Sequence, residues 1–186
     1  MKIKLNERGF ILAEFLIALP LLILLLYALV TLIIQTSKIA REQVADYVLE
    51  TEAQEVLDRI TADARTAYSV KIEPATSLID AENLILKCHN KSDKSTTLTD
   101  NLEKRVYAVY SANGKPFHVY EVRQNEIFRN PITGGNSYGD TIVRQLKYYF
   151  VPEKKVLHIT LEMESDVTKQ KVKFTTAVYM PGYQSE

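Results

Sequence analysis

An apolar segment near the amino terminus limits what this chain can fold into more than any other feature. Residues 10–34 are 25 side chains, of which only Glu14 and Thr31 are polar. At about 1.5 Å rise per residue, a helix of this length extends roughly 37 Å, enough to cross a hydrocarbon core of about 30 Å. The sequence therefore predicts a membrane-spanning helix with the rest of the chain following it.

The charges before the apolar segment predict its orientation. Lys2, Lys4 and Arg8 precede it, and the positive-inside rule places such residues in the cytoplasm and the remainder of the chain outside. A cleaved secretory signal peptide fits less well, because the apolar run exceeds the usual ~7–15 residues and no small-x-small site follows it. A permanent signal anchor fits the hydropathy equally well but gives no reason for Glu14.

Glu14 is an ionisable group inside the predicted span, and such a group costs a few kcal/mol on insertion scales and is a functional hypothesis by default. If the chain is cut between Gly9 and Phe10, Phe10 gains an amino group that is positive below a pKa of about 8. Glu14 then lies one helical turn away on the same face. Two parallel helices offset along their axes can pair the amine of one with the carboxylate of the other. The alternative is a snorkelling or protonated glutamate near a helix end, which leaves the Gly-Phe junction unexplained.

These residues carry a family resemblance. The stretch RGFILAEF resembles the class III signal of type IV pilins and pseudopilins, with a basic leader ending in Gly9, an apolar Phe10 and a glutamate, Glu14, fifth after the cut. The continuation EFLIALPLLILLL, with Phe15 and Pro20, is similar to the tight-adherence (Tad) pseudopilins. In such proteins a membrane peptidase cuts after the glycine, and the new terminus is often N-methylated. The resemblance therefore implies Gly9 and Phe10 as the processing pair and Glu14 as the assembly residue.

The same resemblance implies partners and a location. The partners are a prepilin peptidase, other pilin or pseudopilin subunits, an inner-membrane assembly platform and membrane lipid. The protein would wait in the cytoplasmic membrane and then enter an extracellular or periplasmic filament. The system stays open among a tight-adherence pilus, a type IV pilus, type II secretion and competence. Pro20 removes one backbone hydrogen bond, so a kink or local unwinding is expected there.

The helical pattern continues beyond the membrane segment. Residues 35–68 contain no Gly or Pro, and apolar residues recur at helical spacing. The stripe comprises Leu49, Ala53, Val56, Leu57, Ile60, Ala64 and Ala67. The acids Glu50, Glu52, Glu55, Asp58 and Asp63, with Arg59, lie mostly off it. One long helix over residues 10–68 is predicted, apolar all round in its first half and amphipathic in its second.

Strand-like runs follow the helix. They cover residues 83–88, 105–111, 117–123, 126–129, 142–151, 156–164 and 171–180. Short connections favour an antiparallel sheet packed on the amphipathic half-helix. Residues 89–101 and 130–140 are predicted to be exposed loops. The organisation is a leader (1–9), a transmembrane half-helix (10–34), an amphipathic half-helix (35–68) and a sheet domain (69–186), an α+β fold of pilin-like type. Beyond the first 30 residues the likeness is architectural, and loosely to minor pilins of the J or W kind.

Sites for chemistry are few. Basic and acidic residues are balanced at 23 each, and without residues 1–9 they number 20 and 22, so no nucleic-acid partner is indicated. Cys88 is the one cysteine and is expected to be a buried strand residue. His89, His118 and His158 are spread over different predicted elements, so no metal or other cofactor is predicted. No hydrolase or phosphate-loop motif occurs.

Two functions of different classes remain. The leading one is a non-enzymatic structural subunit, a pilin-like protein and more readily a minor than a major one, because the part beyond the helix is bulky for a tightly repeated subunit. The alternative is an uncleaved, single-pass anchored binding or sensor module outside the cytoplasm. The mature amino terminus separates them.

Overall fold

The computed structural model of the chain describes residues 7–75, 80–89, 102–111, 117–123, 130–134 and 140–184, with backbone only for 7–13, 89, 102 and 130. The chain divides into two units, Met1–Gln43 and Val44–Glu186. The predicted strand at 126–129 and most of the predicted loop at 89–101 lie outside the described residues.

The helix predicted over residues 10–68 is one continuous element, α1 (Glu7–Thr66), which ends two residues earlier than predicted because Ala67 and Tyr68 begin a strand. Between Phe10 and Thr66 there is no glycine and one proline, Pro20, so few positions strongly oppose a long helix. Thr31, the second polar residue of the apolar segment, donates its hydroxyl to the Tyr27 carbonyl at 2.8 Å. The hydroxyl is therefore satisfied within the helix, as an apolar surrounding requires.

The described residues after α1 form eight strands. They are β1 (Ala67–Pro74), β2 (Asp80–His89), β3 (Leu102–Ser111), β4 (Phe117–Arg123), β5 (Asn130–Pro131), β6 (Thr141–Val151), β7 (Val156–Ser165) and β8 (Lys171–Tyr179). Six of these match predicted runs within a few residues at each end. β1 was not predicted as a strand, because its first residues continue the helical apolar stripe through Ala67. β5 was assigned to a loop.

Nearly all strand pairs are antiparallel. β1 to β5 pair in chain order, and β6, β7 and β8 do the same. The two series join where β2 runs parallel to β6, with Asp80 opposite Gln145 and Ala81 opposite Leu146. The predicted α+β arrangement of one long helix and a mostly antiparallel sheet is confirmed.

The core of the Val44–Glu186 unit lies between the second half of α1 and the sheet. Every member of the predicted helix stripe is buried, including Leu49, Ile60 and Ala64 at 0% exposure. On the sheet side, alternate residues of β7 are fully buried, namely Leu157, Ile159, Leu161 and Met163. Val178 of β8 lies opposite Leu157 on the same face. Buried residues thus recur about every 3.6 positions along the helix and every second position along the strand, and both sets face the same core.

We predict that Leu49→Ala destabilises the Val44–Glu186 unit by about 2–5 kcal/mol, because a fully buried leucine loses its contacts and leaves a cavity. Leu22→Ala is the matched control, since Leu22 is on the same helix but 56% exposed. Urea unfolding of the full chain in detergent, followed by tyrosine near-UV circular dichroism, measures both. Equal midpoints for the two variants would contradict the packing of the stripe.

Candidate functional site: the apolar helix surface and the acidic anchors

The first candidate site is the surface of α1 over residues 14–34, the apolar segment of the sequence. Its large side chains are exposed, from Leu29 at 49% to Phe15 at 70% and Tyr27 at 72%. By length and composition this helix could be a membrane span or a signal anchor. Exposure of so many apolar side chains on all sides of one helix is unstable in water. This surface therefore requires lipid or other apolar chains around it.

The residues implied in processing lie at the start of this helix. Gly9 and Phe10 are within the first turns of α1, and Arg8 precedes them in the same helix. Lys2 and Lys4 lie outside the described residues. The cleavage, the leader topology and the role of each of these residues stay predictions.

Glu14 lies in α1, one turn after Phe10, and its side chain is exposed. Among the described residues, none forms a hydrogen bond or an ion pair with the Glu14 carboxylate. Pro20 is also exposed, and the chain is helical on both sides of it. The kink expected at Pro20 stays a prediction.

The second candidate site is a set of three carboxylates on the second half of α1, which we call the acidic anchors: Asp46, Glu52 and Asp63. Each accepts hydrogen bonds from residues that are distant in the chain. The Thr168 hydroxyl, between β7 and β8, donates to Asp46 Oδ1 at 2.5 Å. The other two anchors bind the sheet and the segment around residue 134, so the anchors fix how α1 is placed within the Val44–Glu186 unit.

Asp63 holds a cluster on β3. The Tyr107 hydroxyl donates to Asp63 Oδ2 at 2.5 Å, and the Arg105 guanidinium donates to Asp63 Oδ1. Burial, and then the hydrogen bond to the Asp63 carboxylate, raise the pKa of the Tyr107 hydroxyl well above its usual range. Burial opposes the charge of Arg105, but the hydrogen bond and charge of Asp63 outweigh it and raise its pKa. Both groups keep their protons at neutral pH, so the cluster is structural rather than a proton donor or acceptor.

Glu52 corrects the prediction that residues 130–140 form an exposed loop. The Gly134 N–H donates to Glu52 Oε2 at 3.1 Å, and the Thr141 hydroxyl donates to the same oxygen. Ile132 and Thr133 are buried, at 8% and 1% exposure. The loop assignment was wrong for Asn130 and Pro131, which form β5, and the expected exposure was wrong for Ile132 and Thr133, because the pairing of β5 with β4 and the Glu52 contacts hold the segment against the protein.

Gly134 is required at its position. Its φ of +88° lies in the left-handed region, and a Cβ there would lie 2.5 Å from the His118 ring. His118 itself contacts Thr133 Oγ1 at 3.5 Å through Nδ1 and Asp140 at 3.5 Å through Nε2. Sequence reasoning missed this group because its members are up to 22 residues apart and no spacing rule connects them.

Two further carboxylates are buried and paired with arginines. Glu121 of β4 is 3% exposed, and Arg123 Nε donates to it at 2.8 Å, while Arg59 of α1 lies 3.6 Å away. Glu164 of β7 accepts from Arg144 at 3.0 and 3.2 Å. That hydrogen bond, and then the arginine charge, lower the pKa of Glu164. Pairing of this kind explains why acids occur in buried positions of the sheet.

Cys88 is a buried residue of β2, as predicted, with 1% exposure. Its thiol lies 3.5 Å from the Asp63 carbonyl, and burial raises the pKa of the thiol. A protonated, buried thiol is a poor nucleophile. Within the described ranges, no group of three His, Cys, Asp or Glu side chains could hold a metal ion.

Comparison with known proteins identifies no relative of this chain. No family model, no curated protein and no solved structure matches this chain.

We predict that Tyr107 makes stability fall in alkali. A raised folded-state pKa means that the folded chain keeps a proton that the unfolded chain loses above about pH 10, so stability is full below that pH and declines above it. Between pH 8 and pH 11 the stability advantage of the parent chain over Tyr107→Phe should shrink by about 1.4 kcal/mol. Urea unfolding at the two pH values measures this.

Tyr179→Phe is the control for that measurement, since Tyr179 is 58% exposed. The parent chain and the control should change together with pH. A constant difference between the parent chain and Tyr107→Phe would show that the Asp63 cluster does not hold the hydroxyl proton.

Proposed function

We propose that this chain is a non-enzymatic structural subunit, a minor pilin or pseudopilin of a type IV filament system that serves pilus assembly, adhesion or secretion. It is processed after Gly9 and assembles through the Phe10 amine and Glu14. The observation that carries the proposal is the apolar helix surface over residues 14–34, exposed on all sides.

In a filament subunit, the apolar helix surface would be surrounded first by lipid and later by the helices of other subunits. Before assembly, the segment lies in the bilayer, where its length of about 30 Å matches the hydrocarbon core. After assembly, the same side chains pack against the helices of neighbouring subunits. A permanent anchor would use only the first surrounding, and its span would have no need of a carboxylate.

Glu14 supports the proposal through its charge. The Glu14 carboxylate is exposed, and no described side chain forms an ion pair with it. In an apolar surrounding it therefore needs a partner from outside the helix. Cleavage before Phe10 creates a cation one turn away. Attraction between that amine and Glu14 of a neighbour is strong in low dielectric, which turns the insertion cost into a force for side-by-side assembly.

The Val44–Glu186 unit supports the pilin-like interpretation of the fold. A long amino-terminal helix with its second half packed on an antiparallel sheet is the arrangement that pilins use. The sheet, with eight strands in the described part of the chain, is large for a tightly repeated subunit, which favours a minor role.

The location and partners follow from the same proposal. The chain crosses the cytoplasmic membrane once, with Lys2, Lys4 and Arg8 inside and the sheet outside. A prepilin peptidase and an inner-membrane assembly platform act on it there, together with other subunits and lipid. The proposal includes no cofactor and no nucleic acid.

We predict that the mature protein begins at Phe10, with or without a methyl group on its amine. Gly9→Ala should slow the cleavage and Gly9→Val should block it, because the peptidase must accommodate the residue before the cut. Asn6→Ala, elsewhere in the leader, should have no effect. Intact mass spectrometry of the protein from its native cells reads all three. A chain that keeps Met1 in those cells would favour the uncleaved anchored module instead.

We predict that Glu14→Gln leaves membrane insertion unchanged and reduces incorporation into filaments about tenfold or more, since the loss of one ion pair in low dielectric exceeds 1.4 kcal/mol. Glu50→Gln, on the exposed side of the same helix, is the control and should assemble normally. Co-purification with sheared filaments measures incorporation. Equal recovery of both variants would rule out the charge pair.

A further inference from the structure

Strand β8 forms an open edge of the sheet. β7 is the only described strand that pairs with it, over nine residues without a register shift. The other edges are less regular, because β5 has two residues and β1 carries an irregular register and ends in Pro74. In addition, the Gln184 N–H donates to the Tyr68 carbonyl of β1 at 2.9 Å. Among the edges formed by the described strands, β8 is therefore the long, uninterrupted one.

Two hydrogen bonds at the ends of β8 show which of its backbone groups face outward. The Met180 N–H donates to the Lys155 carbonyl at 2.8 Å, and the Gln170 carbonyl accepts from the Ser165 N–H at 2.9 Å. Positions 170 and 180 thus point toward the β7 side. Successive residues of a strand point their backbone groups in opposite directions, so the odd-numbered residues point away from β7. They are Lys171, Lys173, Thr175, Ala177 and Tyr179, and all are exposed.

The usual protections of an edge strand are weak here. Prolines, bulges and charged residues along the strand discourage pairing with another chain. β8 has no proline and no bulge, and its two lysines both lie at one end. Acids of β7 also attract these lysines, since Lys171 Nζ lies 3.7 Å from Glu164 Oε2 and Glu162 lies opposite Lys173.

We propose that β8 pairs antiparallel with β8 of a second copy of this chain, with Thr175 opposite Thr175 on a two-fold axis. This register is the one that pairs all nine residues. It places Lys171 opposite Tyr179 and Lys173 opposite Ala177, so that no two lysines face each other. Every outward N–H of the odd-numbered residues then meets an outward carbonyl.

The side chains of this register are also complementary. On the core face, Val172 lies opposite Val178 and Phe174 lies opposite Thr176, which covers the half-buried Val172 and Phe174. On the other face, an ammonium group lies beside the Tyr179 ring, a favourable contact. Shifting the axis to Lys173 would place two lysines directly opposite, which is destabilising. The occupant that fits this edge is therefore the strand itself.

Pairing of this kind closes on itself. Each copy uses its single β8 edge once, so an isologous dimer forms rather than an open fibre. The pairing uses no residue of α1 and does not rest on the proposed filament function.

Cysteine cross-linking of the full chain in detergent tests the proposal, in a Cys88→Ala background. Residues opposite each other in a hydrogen-bonded antiparallel pair have Cα atoms about 5.5 Å apart, within the reach of a disulfide. Thr175→Cys should therefore form a disulfide-linked dimer on mild oxidation. Thr160→Cys is the matched control, because Thr160 lies opposite Thr175 on β7. Its distance across the axis is about three strand spacings, or ~14 Å, which is too far.

Two edge variants complete the test. Thr175→Lys places two lysines opposite each other and should weaken the dimer about tenfold or more in sedimentation of the detergent-solubilised chain. Thr175→Pro removes an outward N–H without removing a bond to β7 and should do the same. The Glu14→Gln variant should keep the β8 dimer. Equal cross-linking of Thr175→Cys and Thr160→Cys, a cross-link from Thr175→Cys to a different protein, or a dimer that survives both edge variants would overturn the proposal.

Discussion

The structure depends on one helix that must satisfy two different surroundings. Over residues 14–34 the side chains other than Glu14 and Thr31 are apolar and exposed, while farther along the same helix one stripe from Leu49 to Ala64 is buried against the sheet. The first part cannot remain in water, because burial of apolar surface is worth about 25 cal/mol per Å². The apolar stripe of the second part is already buried against the sheet of its own unit. A membrane or a bundle of like helices is thus needed by the first part alone.

Within the Val44–Glu186 unit, polar contacts act together with apolar packing to hold the helix on the sheet. A half-buried carboxylate that loses its hydrogen-bond donors is destabilising, so α1 must lie where Asp63 and Glu52 reach theirs. Asp63 with Tyr107, and Glu52 with Gly134, therefore hold α1 in one position on the sheet. The same requirement explains why the segment from Asn130 to Gly134 lies against the protein.

The sequence predicts those elements of the fold in which apolar residues recur at a regular spacing. The helix stripe and the alternation of β7 both follow from side-chain geometry, so Leu49 and Leu157 could be assigned to the core without a structure. The strand β1 was missed because Ala67 continues the helical pattern into it.

The polar contacts could not be predicted, because their partners are far apart in the chain. Asp63 and Tyr107 are 44 residues apart, and Glu52 and Thr141 are 89 apart. The opposite holds for the residues proposed to act in processing and assembly. The pattern formed by Gly9, Phe10 and Glu14 is local and can be recognised in the sequence. Their proposed roles, however, require cleavage of the chain and then contact with a second chain.

Zero-length cross-linking tests most directly the proposed charge pair between the Phe10 amine of one subunit and the Glu14 carboxylate of its neighbour. Filaments assembled from a mixture of isotopically light and heavy subunits are treated with a carbodiimide, which joins an amine to a carboxylate only when the two are in contact. We expect a peptide in which the Phe10 amine of one isotope is joined to the Glu14 carboxylate of the other. Filaments that yield other cross-links between subunits, but none that joins these two groups, would contradict the claim.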